Sequence, residues 1–508
     1  MSAPSGLPGG RRAAQGGTRG ALRLALLLAL IAAAGAVVEH HESFAPLRVA
    51  VRRDPGEMPS TKLTPQDEIA SGLAVVSLYV APHDLHDPET GLLPNKLKHG
   101  REWERPGTVS FFEGGRLRFS SVVGVRLHGG GSRITVPEPG FRLYFRRQYG
   151  LAEAPGGVFF DPPHDHPLRR VVLHNDVRTD RGLRWHLVNP LAYDIASAIG
   201  AITAATRPAR MFLNGEFQGV YVITEHFHPR DYFETHWRHP VVLSNREFDA
   251  LWNELSAIDS PRMRHLRRLI DIDNLTRWMI ATIFCATGDA FQGPGQFRDP
   301  TRSEGQWFWV NWDMDMSFRD WRNDTFVAMT ERIGERRRGR RANEPRAYLF
   351  TRLLAEDPEY REYFMQVWTE AMNHRIPPSF LRERFRYYRD VAIRYGVEDR
   401  RYLTLVEEFV ARRPAMIRRY AEQWLNMPPS VRLRLSGGSR AVLVDGWKTA
   451  PGYEGYYFPH MEVRLEVPAQ DRPAFAYWRI NGRVMRGFEL TLTADRDLDV
   501  EVIWRNES

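Results

Sequence analysis

Trp307-Phe308-Trp309-Val310-Asn311-Trp312-Asp313-Met314-Asp315-Met316-Ser317-Phe318 sets a run of aromatic and β-branched residues against two carboxylates one residue apart. The apolar half predicts a buried strand over 307–312. Carboxylates at the end of such a strand lose hydration unless a cation or hydrogen bonds compensate them. If the chain stays extended, Asp313 and Asp315 point to one side, because strand side chains alternate. Paired carboxylates there are a seat for Mg²⁺ or Mn²⁺, which prefer oxygen ligands. The bland alternative is a strand-end turn with the acids capping backbone or pairing with arginines. A calcium loop does not fit, since Phe318 stands where that loop needs glycine. D-x-D after an apolar strand also occurs in aspartyl-nucleophile phosphatases and in nucleotide-sugar transferases, so the motif alone says phosphate plus divalent metal.

Outward from this stretch, the apolar segment Ile270–Thr287 predicts a long helix carrying the lone cysteine, Cys285, as a core residue. The segment 288–306 reads as a Gly- and Pro-rich loop. Towards the amino terminus, Leu73–Val80, Val122–His128 and Phe141–Phe145 read as strands, and Thr108–Arg118 as a hairpin around Gly114-Gly115. Ala209–Leu213, Asn214-Gly215 and Val220–Thr224 form a second hairpin, Asn-Gly being the strongest short-range signal for one. Leu183–Ile199 has helical spacing and stops at Gly200. Glu331–Arg341 reads as a solvated charged loop or a clamp for an acidic substrate. Tyr348–Leu354, Tyr360–Met372, Pro378–Tyr395 and Leu403–Leu425 read as helices, and period-two runs fill Val431–Trp504.

The chain has 508 residues and a formal net charge of +8, which favours anionic partners but names none. No nucleic-acid motif is visible. Arg11, Arg12, Arg19 and Arg23 precede the apolar run Leu24–Val38, about fifteen residues against the roughly 20 of a usual membrane span. That pattern predicts a signal peptide or an uncleaved signal anchor over 1–38, a linker over 39–67, and export of the rest to the envelope or periplasm. His164-Asp165-His166 lies among prolines and reads as a surface loop rather than a metal site.

Several pieces follow one another in a telling order. They are Arg126-Leu127-His128-Gly129-Gly130-Gly131-Ser132-Arg133, the basic strand Phe141–Arg146, the hairpin Phe212–Tyr221 leading to Glu225, Gly288-Asp289 at a helix end, and Asn311–Phe318. This order resembles the spore-coat protein H (CotH) kinase family over roughly 73–424. The resemblance implies an α+β fold: a divergent protein-kinase-like, two-lobed domain over 68–425, followed by a small all-β sandwich over 430–508 like bacterial surface-type modules. It implies ATP with Mg²⁺ or Mn²⁺ as cofactors, and serine or threonine phosphorylation of exported proteins. Under it Asp289 takes the catalytic-loop role and accepts the substrate hydroxyl proton. Asp313 or Asp315 holds metal, and Gln296 or Gln292 stands where the family has a second, asparagine ligand. Gly130, Gly131, Ser132, Arg133, Arg142 and Glu225 border the nucleotide.

The chain departs from the family at Glu138-Pro139-Gly140, where a lysine pair is usual, and at Arg319, where glycine is usual. Arg142 or Arg133 would replace the lysine, although arginine and lysine are not equivalent there. These departures keep open a catalytically degraded envelope scaffold. An aspartyl-nucleophile phosphatase ranks third, since the D-x-D lies far from the chain's start.

Overall fold

The computed structural model describes residues 72–161, 166–175, 178–180, 183–185, 187–226, 262–287, 296–298, 306–326, 344–396 and 399–505. The signal segment, the linker, Asp289 and the charged loop 331–341 lie outside the described residues.

The first strands alternate, and their inward residues have to be covered. β1 (Val75–Val80), β2 (Arg105–Glu113), β3 (Arg116–His128), β4 (Gly140–Tyr144) and β5 (Arg170–His174) run antiparallel in order. After a short hairpin, β6 (Arg178–Asp180) with β7 (Leu183–Trp185), come β9 (Thr206–Leu213) and β10 (Glu216–Glu225). β10 pairs with β5, and β9 pairs parallel with β1, so the sheet closes into a barrel of β1-β2-β3-β4-β5-β10-β9. Val76, Val109, Val125, Leu143, Leu173, Met211 and Ile223 fill its interior. Residues of opposite parity, including Arg126, His128, Arg142, Tyr144 and His174, therefore stand on its outside.

Helical periodicity takes over beyond the barrel. α1 (Val188–Ile199), α2 (Ile272–Cys285), α3 (Glu344–Glu356), α4 (Pro358–Glu370), α5 (Pro378–Arg394) and α6 (Arg400–Trp424) bury one large core. Val220 and Val222, on the outer face of β10, belong to that core and join the two parts. α1 starts later than the spacing predicts. Leu183–Trp185 is strand, and Leu187 at φ 59° breaks the chain before the first helical turn. Gly200, at φ 94°, ends α1 as expected, where only glycine adopts that geometry without strain. The loop expected over 288–306 contains β11 (Gln296–Arg298), which pairs with β12 (Trp307–Asn311). β12 pairs parallel on its other side with β8 (Ile202–Thr203). Among the described residues, no helix is long and apolar enough to cross a membrane.

The carboxy-terminal strands form two sheets over one core. One holds β13 (Val431–Ser436), β16 (Glu454–Tyr457), β18 (Phe475–Ile480), β19 (Arg483–Met485) and β21 (Leu498–Trp504). The other holds β14 (Val442–Val444), β15 (Trp447–Thr449), β17 (Glu462–Glu466) and β20 (Glu489–Thr493). This part is seated firmly on the helices. A π-helical turn, Ala371–Arg375, extends α4. There Asn373 Nδ2 donates to Tyr456 O (3.0 Å) and its Oδ1 accepts from Tyr456 N (2.9 Å), as a neighbouring strand would. The His374 ring lies parallel to both Trp447 and Tyr453, with centroids at 5.7 and 5.6 Å. Arg418 of α6 covers the Tyr456 ring at 3.5 Å. Asn373→Ala removes both edge hydrogen bonds, at about 0.5–1.5 kcal/mol each. Calorimetry is expected to show an earlier transition for the variant. Unfolding at the wild-type temperature would mean that the carboxy-terminal sheets do not lean on this contact.

Candidate functional site

β12 is buried along its whole length, and α2 holds it through side chains. Asn274 donates to Trp309 O (2.9 Å) and accepts from Trp309 N (2.6 Å), and Trp278 Nε1 donates to Val310 O (3.0 Å). The strand stops at Asn311. Asp313 adopts φ 58°, and its N–H donates to the hydroxyl of Tyr193 on α1 (3.1 Å). The Trp312 ring stacks on that of Tyr193, with centroids 6.4 Å apart. The chain is thus already turning, so the extended-strand argument for a common direction of Asp313 and Asp315 does not hold. Met314 between them points into the core; Asp313 is exposed and Asp315 half-buried. The two carboxylates are neighbours by sequence spacing, not by strand alternation.

Past the acids the chain returns to α2. Phe318 N donates to Cys285 O (3.0 Å), with Phe318 at φ 62°. One side chain that the sequence reading passed over fixes this junction. Arg413 of α6 is fully buried and donates to Phe284 O (3.0 Å), Ile283 O (2.6 Å), Trp321 O (3.0 Å), Asn323 O (2.7 Å) and Thr325 Oγ1 (2.9 Å). It ties the carboxyl end of α2, three residues before Gly288 in the sequence, to the segment after the paired acids. The negative end of the helix dipole favours a cation there, while burial lowers the Arg413 pKa to about 10. A signal was present: Arg413 sits three or four residues from the apolar Phe409, Val410 and Ile417, on the helix face that must be buried. Around the same junction Thr287 Oγ1, Asn311 Oδ1 and Ser317 Oγ are buried with no hydrogen-bond partner. Such oxygens are rare in folded proteins and mark a place for water or another polar occupant.

The basic side of the site lies on the outer face of β3 and β4. Their connection, 129–139, begins with the three glycines and a short helix, Ser132–Thr135. Gly129 needs its identity, with φ 100° and a Cβ that would collide with Ser132 Oγ. Gly130 and Gly131 do not: neither has positive φ, and a Cβ on either would meet nothing within 4 Å. Beneath them Arg133 donates to the carbonyls of Leu127, Lys96 (3.4 Å) and Lys98 (3.3 Å). Arg142 makes two long contacts, to Tyr144 Oη (3.5 Å) and His128 Nδ1 (3.2 Å), and its Nε is buried without a partner. Among the described residues, no carboxylate pairs with either arginine. Burial, then Arg142, brings the Arg133 pKa down to about 10. Burial, then Arg142, His174 and Arg133, holds His128 well below the ordinary 6.5, and burial, Arg133 and Arg142 lower His99. By contrast, Arg126 and Arg146 share the buried Glu104, at 2.9 and 3.0 Å.

Glu225 is buried, not an exposed hairpin exit. It receives His166 Nε2 (3.3 Å) and Ala205 N (3.4 Å), which leaves His166 engaged rather than in a free surface loop. Ala205 follows β8, the partner of β12, so Glu225 is bonded to the short connection between β8 and β9. Arg142 and Thr224 stand in one cross-strand row, Arg142–Val172–Thr224, two strand spacings or about 10 Å apart. Gly130, Gly131, Ser132 and Arg133 thus lie in the β3–β4 connection with Arg142 on β4, whereas Glu225, opposite Val171, has the inward parity of Ile223, and Asp313 and Asp315 follow β12. Gln296 is placed by its backbone alone, opposite Trp309 in β11. Among the described residues, no three His, Cys, Asp or Glu side chains come together to hold a metal. Two carboxylates nevertheless suit Mg²⁺, which is commonly bound by one or two of them plus substrate phosphates.

A family model described as CotH kinase protein matches residues 125–247 and 242–423, from β3 into α6. No curated protein matches the chain.

Two measurements probe this geometry. Arg413→Met leaves several buried carbonyls without a donor, at about 1–3 kcal/mol each; urea unfolding is expected to show a loss of roughly 3 kcal/mol or more, and a change within 1 kcal/mol would mean that α6 does not hold the junction. Below pH 6.5 the unfolded chain binds histidine protons that folded His128 and His99 resist. Stability is therefore complete above that value and is lost as the pH falls through it. Melting scans should show a smaller acid loss for His128→Leu than for wild type; equal losses would contradict this placement.

Proposed function

We propose that this chain, which belongs to the CotH kinase protein family, is an ATP- and divalent-metal-dependent kinase acting on serine or threonine of exported or envelope proteins. The observation that carries the reading is the patch beneath the glycine turn. Two guanidinium groups, Arg133 and Arg142, stand there with no carboxylate partner among the described residues, under two glycines that the chain's own backbone and packing do not require. Carbonyls hold Arg133 and neutral groups hold Arg142, but neither meets an opposite charge among the described residues, which is costly for a partly buried cation. A phosphate chain compensates them, and a backbone without Cβ atoms lets phosphate oxygens come close to N–H groups.

In this reading the barrel and the helical part are the two lobes of a kinase-like domain, with the site at their junction. Arg142 and Arg133 bind the phosphates of ATP. Asp313 and Asp315 hold Mg²⁺ or Mn²⁺, which neutralises charge on the transferring group. Asp289, directly after the helix end that Arg413 anchors, takes the proton of the acceptor hydroxyl. Phosphoryl transfer depends mainly on such positioning and charge neutralisation. Asn311, Thr287 and Ser317, whose buried oxygens lack partners, keep the metal side polar.

Gly130→Ala separates function from folding. The added methyl meets no neighbour and no strained φ, so melting without ligand is expected to stay within about 1 °C or rise slightly. Affinity for Mg²⁺–ATP in a calorimetric titration is expected to fall about tenfold or more, and Asp313→Ala should abolish the metal-dependent part of the stabilisation by ATP. Wild-type protein that gains no stability from millimolar ATP and metal would instead favour a degraded scaffold.

A further inference from the structure

The proposed phosphate cation, Arg142, rises half-buried from the outer face of β4, and a long guanidinium side chain there has about 2 kcal/mol of rotamer entropy to lose on binding a ligand. Something has to hold it. The neighbouring cross-strand row is His128–Gly140–His174, on β3, β4 and β5. With no side chain at Gly140, the two imidazoles meet across β4, edge to face with centroids 5.4 Å apart. Backbones two strands apart are separated by nearly 10 Å, so these rings lean towards each other over the glycine. His128 then presents Nδ1 to Arg142 at 3.2 Å.

We propose that His128 is a positioning residue for nucleotide binding, an uncharged acceptor that holds Arg142 in place beside the glycine turn. This rests on the nucleotide reading above. Arginine has only donors, so Nδ1 of His128 must accept and the ring proton must sit on Nε2. The groups facing the ring all work against a second proton. They are Arg142 from β4, His174 from β5 and Arg133 from the turn, and none is acidic. A protonated ring would have no lone pair for Arg142 and would repel it. Tyr144 Oη, at 3.5 Å, is the second contact of the Arg142 guanidinium. A Cβ at Gly140 would make only ordinary contacts, the nearest with His128 O at 3.4 Å and His128 Cβ at 3.6 Å, so a longer side chain is what would crowd the rings.

The test is a calorimetric titration of Mg²⁺–ATP into the exported part of the chain, residues 39–508, with melting of each unliganded variant recorded alongside. His128→Leu keeps volume but loses the acceptor; His128→Asn keeps an acceptor near the Nδ1 position. His128→Leu is expected to weaken ATP binding about tenfold, and His128→Asn to recover most of it. In an Arg142→Ala background His128→Leu should cause no further loss, because the partner through which it acts is gone. Equal ATP affinity for wild type and His128→Leu, alongside a weakened Arg142→Ala, would overturn the role of His128 and leave the nucleotide reading standing. A further full loss in the Arg142→Ala background, or no recovery with His128→Asn, would reduce the ring to packing. Equal or undetectable ATP binding by wild type and Arg142→Ala would overturn both readings together.

Discussion

Arg413 is the constraint on which the rest of the site depends. A guanidinium without water and without a carboxylate survives in a core only if polar oxygens surround it. Here they come from two segments, the last turn of α2 and the loop Trp321–Thr325, which also touch directly through Thr325 Oγ1 donating to Ile283 O (2.9 Å). Satisfying one side chain of α6 therefore fixes the relation between the helix that leads to Gly288-Asp289 and the segment that follows Asp313 and Asp315. Tyr420, on the same helix, adds a hydrogen bond to Arg322 O (2.7 Å), and Trp321 lies between the guanidinium groups of Arg322 and Arg412. The segment after the paired acids is thus held against α6 at several points.

The second constraint is the connection between barrel and helices. β8 pairs with β12, and two residues later the chain enters the barrel as β9. Glu225 closes this turn by exchanging hydrogen bonds with Ala205. α1 secures the same place from the helical side. Its Tyr193 accepts from Asp313 N, while the next residue, Asp194, accepts from Arg384 (2.7 Å) and Tyr388 (2.7 Å) of α5. Burial raises the Asp194 pKa against the pull of Arg384. β8, the partner of β12, and β9, a strand of the barrel, are therefore joined by two residues of chain.

Much of this was legible in the sequence where local rules decide. Alternation in Val122–His128 and Phe141–Phe145 marked strands, and Asn214-Gly215 and Gly114-Gly115 marked the hairpins, all with positive φ as such turns require. The helices of 344–424 and the period-two strands after Val431 followed from spacing. What stayed hidden depends on contacts distant in sequence. The turn at Asp313 is set by Tyr193, 120 residues earlier, and no pattern near Asp313 contains it. Closure of the barrel depends on β1 meeting β9 in parallel. Leu183–Trp185 has helical spacing yet pairs as strand with Arg178–Asp180. The seat of the carboxy-terminal sheets on Asn373 and His374 has no sequence signature at all. Arg142 was visible as a basic strand residue, but its lack of a carboxylate partner among the described residues is a fact of the folded surface.

The central claim is that the basic patch and the paired acids serve one ligand. Hydrogen–deuterium exchange in the presence and absence of Mg²⁺ and a non-hydrolysable ATP analogue tests it most directly. The account predicts slower exchange on ligand addition in both 126–144 and 307–318, with the metal required for the second segment. Protection confined to one segment, or in neither, would contradict it.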